Sequence, residues 1–219
     1  MNEGTILNSA DIEDLQRFAR SLEHALSEVG QNERLEDTFK LRRKFRGVVG
    51  ELITLLKLYE QCGPSCRYIW YGGGKPAVDL TIESAEGRVN VQVKSKRSGG
   101  DWQGNARDWM EFEERNDYCQ YVKCKVPLSD PDTVFVYVEL GTRQEPDKFY
   151  VLTKAQVQDL VYIGYKRFIE SHDHKRPRNP RSYHFALGTK ELEQYRDNWN
   201  MIIGQLNLDR HKSLTSSAY

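Results

Sequence analysis

Four side chains form a set able to act on one ligand: Glu51 in RGVVGELITLLKLY, Asp79 in PAVDLTI, and Gln92 with Lys94 in RVNVQVKSK. Two carboxylates, an amide and an ammonium are the components of a hard-cation site with a basic group beside it. Magnesium prefers oxygen ligands, usually one or two carboxylates completed by water and substrate phosphate. Asp79 and Glu51 supply the carboxylates, and either the Gln92 side-chain carbonyl or the Val93 backbone carbonyl is the neutral third ligand. Phosphodiester hydrolysis is the chemistry such a site suits. A phosphodiester is already anionic, so its hydrolysis needs positive charge beside the phosphate and a nucleophile available at neutral pH. Lys94, held near the cation, would orient the attacking water and counter the developing charge.

Two elements must bring these groups together. Asp79 and Gln92 flank the turn residues Glu86 and Gly87, as the arms of a β-hairpin would. A turn centred between Ala85 and Glu86 pairs residues whose numbers sum to 171, which sets Asp79 opposite Gln92 and Ala77 opposite Lys94. Opposed residues share a face, and Lys94, two positions beyond Gln92, points the same way, while Val91 and Val93 point to the core. The second element is a helix predicted over 33–61. At roughly 100° per residue, Phe45, Val48, Val49, Leu52, Leu56 and Tyr59 form a stripe that Leu55 and Leu58 widen, and Glu51 falls inside the widened side. A carboxylate on an apolar face is costly unless paired or metal-bound. Gly47 and Gly50 weaken the helix, by roughly 1 kcal/mol each relative to Ala, and mark either a close ligand approach or packing against a sheet.

The order and spacing of these residues resemble the PD-(D/E)xK nuclease superfamily, which has the restriction-endonuclease-like fold. Asp79 matches its first acid and Lys94 its lysine, Gln92 stands where the second acid is usual, as in QxK variants, and Glu51 matches the helix glutamate common in the family. The likeness covers about residues 45–97. It implies an α/β fold with a mixed central sheet flanked by helices, and a Mg²⁺-dependent endonuclease, with Mn²⁺ able to substitute. Asp79, Gln92, Lys94 and Glu51 would be catalytic, and Asp79, Gln92, Val93 and Glu51 would hold the metal. It further implies nucleic acid, foremost DNA, as substrate, a role in restriction or antiphage defence, and a homodimer or a partner within a defence complex. With one negative ligand fewer, the site should depend strongly on Mg²⁺ or Mn²⁺ concentration, or on nucleic acid completing it. A non-catalytic binding or assembly subunit of the same fold is the rival reading.

Charge is balanced, with 32 basic and 32 acidic residues among 219, so nucleic-acid binding must rest on local segregation. Basic runs occur at 40–46, 94–97 and 174–181, against a mainly acidic opening. Lys96 and Arg97 leave the proposed site, Lys75 follows the Gly72–Gly74 run, and Arg176 and Arg178 lie in the third basic stretch. All five are candidate nucleic-acid contacts. Trp102, in an expected loop over 98–108, could stack on a base or cover a hydrophobic edge. Two further metal sites are conceivable, four cysteines (Cys62, Cys66, Cys119, Cys124) or His172 with His174, but their spacings favour ordinary thiols and exposed or phosphate-contacting imidazoles. No apolar run reaches the length of a membrane span, and the N-terminus, with Glu3, Asp11 and Glu13, lacks the pattern of a secretory signal. A cytoplasmic protein with no membrane partner is the expectation.

Elsewhere the periodicity predicts a helix over 9–29, helical character over 109–123, strands at 67–71, 133–140, 149–152 and 183–187, a helix after the Thr153/Gln156 capping box, and a final helix capped by Thr189. One domain over 1–219 follows, with 1–32 as a helical appendage, 45–97 as the metal-site core and 210–219 as a frayed tail.

Overall fold

A computed structural model describes residues 4–8, 10–15, 17–18, 36–72, 77–115, 118–141 and 145–208. Its centre is a mixed sheet of six strands, β1 (Thr5–Leu7), β2 (Arg67–Trp70), β3 (Leu80–Glu83), β4 (Arg88–Arg97), β8 (Val134–Leu140) and β9 (Lys148–Thr153), in the order β1-β2-β3-β4-β8-β9. Only β4 and β8 run parallel; every other neighbouring pair is antiparallel. Helix α1 is described at residues 10–15 and 17–18, and the rest of the 9–29 expectation lies outside the described residues. The tail 210–219 lies outside them too.

Alternation along the strands divides the core into two layers. Val89, Val91, Val93, Val134, Val136 and Val138 face helix α2 (Glu36–Cys62), meeting its Val49, Ile53, Leu55 and Leu58. Phe135, Tyr137, Tyr150 and Leu152 point the other way, onto helix α3 (Lys154–Glu170) with its Val157, Val161, Tyr165 and Ile169. Strand β8 is therefore apolar on both faces, as its continuous hydrophobic run predicts for a central strand. The capping box at Thr153 and Gln156 forms as expected. Phe45, placed in the apolar stripe by periodicity, is exposed, and in α3 Tyr165 is buried while Phe168 is exposed.

Three expectations are corrected. The described residues within 109–123 form no helix: β6 (Met110–Glu114) and β7 (Gln120–Lys125) pair antiparallel, with Phe112 and Val122 on one face over Tyr165 and Tyr183. The expected loop at 98–108 contains β5 (Trp102–Asn105), whose partner β10 (His184–Leu187) lies some eighty residues on, beyond the reach of local pattern. The last helix is split into α4 (Thr189–Leu192), a 3₁₀ turn (Glu193–Tyr195) and α5 (Asn200–Gln205), and α4 is preceded by Gly188 with no side-chain cap.

At Gly50, α2 runs close against the sheet. A Cβ there would lie 2.5 Å from the Ser95 Cβ, whereas at Gly47 it would meet no described atom within 4 Å. Gly50→Ala is therefore expected to destabilise by about 1–3 kcal/mol through overpacking, despite the gain in helix propensity, and Gly47→Ala to stabilise by up to about 1 kcal/mol. Urea denaturation of the two variants checks both signs.

Candidate metal and nucleic-acid site

The hairpin register is the expected one: Leu80 pairs with Val91 and Thr81 with Asn90, which sets Asp79 opposite Gln92. Strand β3, however, is only four residues long and β4 is ten, so β4 runs on past the end of its partner and leaves a notch in the sheet. At the notch the Asp79 amide donates to the Val91 carbonyl (2.9 Å), and the Asp79 Oδ2 accepts the Val93 amide (2.7 Å). The carboxylate thus takes the place of the next main-chain acceptor. It lies along the open strand edge rather than on the face shared by Gln92 and Lys94, a correction to the single-face arrangement. A strand residue directs its N–H and C=O to the same neighbour, so the Val93 carbonyl faces this edge as well.

Glu51 reaches the notch from the α2 side. Its Oε2 accepts the Trp70 indole N–H at 2.7 Å. Burial raises its pKa, the Trp70 bond lowers it, the Asp79 charge raises it and Lys94 lowers it, for a net upward shift. Asp79 is also shifted upward, by burial first, against the opposing Val93 bond and Lys94 charge. The two acids and Lys94 therefore sit within one another's fields although they come from three directions. Gln92 is half-buried and Lys94 exposed on the opposite, α3-side face, where they pair with Phe135 and Tyr137.

The donors present suit a hard divalent cation. Each carboxylate commits one oxygen to a protein donor, and among the described residues no hydrogen bond reaches Asp79 Oδ1 or Glu51 Oε1. Burial and mutual repulsion disfavour the two anions, a cost that a cation would relieve. Among the described residues no group of three His, Cys, Asp or Glu is arranged to bind metal.

The raised acids have a consequence for stability. Between the unfolded carboxylate pKa, about 4, and the higher folded value, the folded state binds more protons than the unfolded, so stability falls as pH rises through that window. The penalty is complete above it. Glu51→Gln and Asp79→Asn are expected to raise Tm at neutral pH in chelator, with the gain vanishing below about pH 4. A Tm that fell in both variants would contradict this.

Beside the notch, Gln92, Lys94, Ala77, Lys154, Trp109 and Phe135 line part of a groove of about 710 Å³. Ala77 holds a left-handed φ of 62°, a conformation that strains an L-residue by roughly 1–2 kcal/mol. The expected pairing of Ala77 with Lys94 does not form, because β3 begins at Leu80 and Ala77 stands in a turn; neither Lys154 nor the Trp70 partner of Glu51 is identifiable from sequence, because each owes its place to chain reversals that no local pattern encodes.

The other candidate contacts divide. Lys96 is 8 % exposed, its ammonium bonded to Glu139 (2.5 Å) and the Gly100 carbonyl (2.9 Å) over the Trp102 ring, so it braces the structure rather than meeting a phosphate. Trp102, 5 % exposed, packs edge-on against Tyr137 and Tyr150 and donates its indole N–H to the Lys94 carbonyl; it covers the core, and no base can stack on it. Arg97 is exposed, and Lys75 lies outside the described residues. Arg176 and Arg178 line a separate cavity of about 290 Å³. His172 sits against the Phe168 carbonyl and His174 stacks on Tyr121, while the four cysteines are free thiols.

No family model, curated protein or solved structure matches the chain. Among the described residues no helix is long and apolar enough to cross a membrane.

Proposed function

We propose that the chain is a metal-dependent nuclease of the restriction-endonuclease-like fold, hydrolysing phosphodiester bonds of nucleic acid, DNA foremost. The observation that carries this reading is the notch. There the Asp79 carboxylate caps the open edge of β4 at Val93, within the fields of Glu51 and Lys94. Glu51, Asp79 and the Gln92 or Val93 oxygen would hold Mg²⁺ or Mn²⁺, which supplies positive charge and an acidified water. Lys94 lies on the solvent side, free to orient a water and to meet a phosphate oxygen. Trp70 fixes the Glu51 carboxylate, and the Val93 amide fixes that of Asp79, so both acids are preorganised before substrate arrives. The same resemblance brings with it a cytoplasmic role in restriction or antiphage defence, and a second copy or a partner chain that would present one notch to each strand of a duplex.

The test is incubation of supercoiled plasmid, single-stranded DNA and RNA with Mg²⁺ or Mn²⁺, beside Asp79→Ala. Metal-dependent cleavage that disappears in the variant supports the nuclease; no cleavage of any substrate by the wild type sinks it. Gln92, an amide where a third anion would tighten cation binding, favours the alternative of a non-catalytic binding or assembly subunit. Gln92→Glu distinguishes them: in a nuclease the Mg²⁺ needed for half-maximal cleavage should fall on the order of tenfold, whereas a scaffold should remain inert.

A further inference from the structure

We propose that the cavity formed by Phe168, Arg176, Pro177, Arg178, Asn179, Ser182 and His184 is a phosphate anchorage for a nucleic-acid strand, separate from the notch. The proposal rests on the nuclease reading for its choice of ligand. Two arginines, an asparagine, a serine and a histidine are among the residues that line about 290 Å³ beside Phe168, and their side chains are of the types that capture an anion.

The cavity is built before any ligand arrives. Gln120, 1 % exposed, donates its side-chain amide to the Pro180 and Ser182 carbonyls (2.6 and 3.2 Å), and its backbone N–H reaches the His174 carbonyl (2.7 Å). Tyr165 in turn donates its hydroxyl to Gln120 Oε1 (2.6 Å). The loop is thus pinned to β7 and α3 at three carbonyls. Arg176 lies over Phe168, 5.3 Å from the ring centroid, and donates to the His184 carbonyl, so its plane is fixed. Charge points the same way. Many basic residues elsewhere are neutralised, as Arg67 is by Glu83, Lys125 by Asp159 and Lys166 by Glu170. Among the described residues Lys175, Arg176, Arg178 and Arg181 form no ion pair with an acid.

A strand fits this cavity better than a free anion does because of what lies next to it. His184 lines the cavity and Phe185 lines the larger groove beside Gln92 and Lys94. Adjacent strand residues point to opposite faces, so the β5–β10 ribbon is the wall between the two. A polyanion crossing the ribbon would place one phosphate on Arg178 and another at Lys94.

The experiment measures fluorescence anisotropy of a short labelled single-stranded oligodeoxynucleotide across a salt series, in chelator, with wild type, Arg178→Gln and the charge-matched Arg88→Gln. Arg178 is exposed, so the fold should persist. Arg178→Gln should weaken binding on the order of tenfold and reduce the salt slope by about 0.7, the loss of one single-strand phosphate contact. Arg88→Gln, at the far turn of the hairpin, should stay close to wild type. Equal losses in both variants, or none in Arg178→Gln, overturn the anchorage. So does a phosphoserine peptide whose binding depends on Arg178 while the oligonucleotide's does not. Binding is measured without metal, so Arg178-dependent binding beside a negative result in the Mg²⁺ and Mn²⁺ cleavage assay would leave the anchorage standing and sink the nuclease, and cleavage without Arg178-dependent binding would do the reverse.

Discussion

Lys94→Ala is expected to lower metal-dependent cleavage by roughly 10²–10⁴-fold while leaving the fold and the cation affinity near wild type. The side chain is exposed, and the bond from the Trp102 indole goes to its backbone carbonyl, which alanine keeps. Its ammonium is not among the oxygen donors of the site. The loss should therefore fall on the chemical step: kcat drops and KM for DNA changes little. Lys94→Arg keeps the charge but replaces a compact ammonium with a planar fork, so it should restore only part of the rate. Excess Mg²⁺ at about a hundredfold over its Kd should stabilise by about 2.7 kcal/mol, or roughly 5–10 °C in Tm for a chain of this size, in Lys94→Ala as in wild type. Asp79→Ala should lose that metal-dependent shift. If Lys94→Ala cleaved at the wild-type rate, the assignment of the lysine to the chemical step would fail.

The largest effect on stability is expected away from the notch, at Glu139. This residue is 5 % exposed and takes Lys96 at 2.5 Å and Lys148 at 3.3 Å. Burial pushes its carboxyl up, but the bonds and charges of the two lysines outweigh that and hold it below the ordinary range. Glu139→Ala would leave the Lys96 ammonium buried with only the Gly100 carbonyl and the Trp102 ring as partners. Removing one member of a buried pair costs about 3–5 kcal/mol, a fall in Tm of roughly 6–20 °C and a large share of the 5–15 kcal/mol typical of a folded domain. Replacing both members, as in Lys96→Met with Glu139→Leu, should recover most of the loss, because no charge then remains buried. Differential scanning calorimetry of the two variants provides the comparison. A depressed carboxylate contributes stability above its unfolded pKa, and that contribution disappears as pH falls through the folded value. The gap between wild type and Glu139→Ala should accordingly narrow in acid.

The sequence by itself determined the hairpin and its register, because both are local. A turn at Ala85 and Glu86 and alternating valines leave one pairing that buries Val89, Val91 and Val93, and a slip of one residue would expose all three. It determined the central place of β8 and the start of α3 for the same reason: an apolar run and a capping box act within a few residues. It also raised Glu51 from the background, since an acid within an apolar helical face is costly wherever the helix packs.

The tertiary structure decided the rest. The unequal lengths of β3 and β4 open the notch and turn Asp79 along the strand edge. Only the docking of α2 through Gly50 brings Glu51 to it and pairs Glu51 with Trp70. Lys96 and Trp102 read as phosphate and base contacts in a basic, glycine-rich stretch. They are buried because β10 pairs with β5 and Glu139 lies next to β4, contacts made across some forty to eighty residues. Residues 109–123 carry enough helical periodicity to mislead, but Met110–Glu114 and Gln120–Lys125 pair as strands because the apolar face of Phe112 and Val122 finds its partner in α3. In each case the deciding energy is burial against a surface distant in sequence, which a local pattern can permit but cannot select.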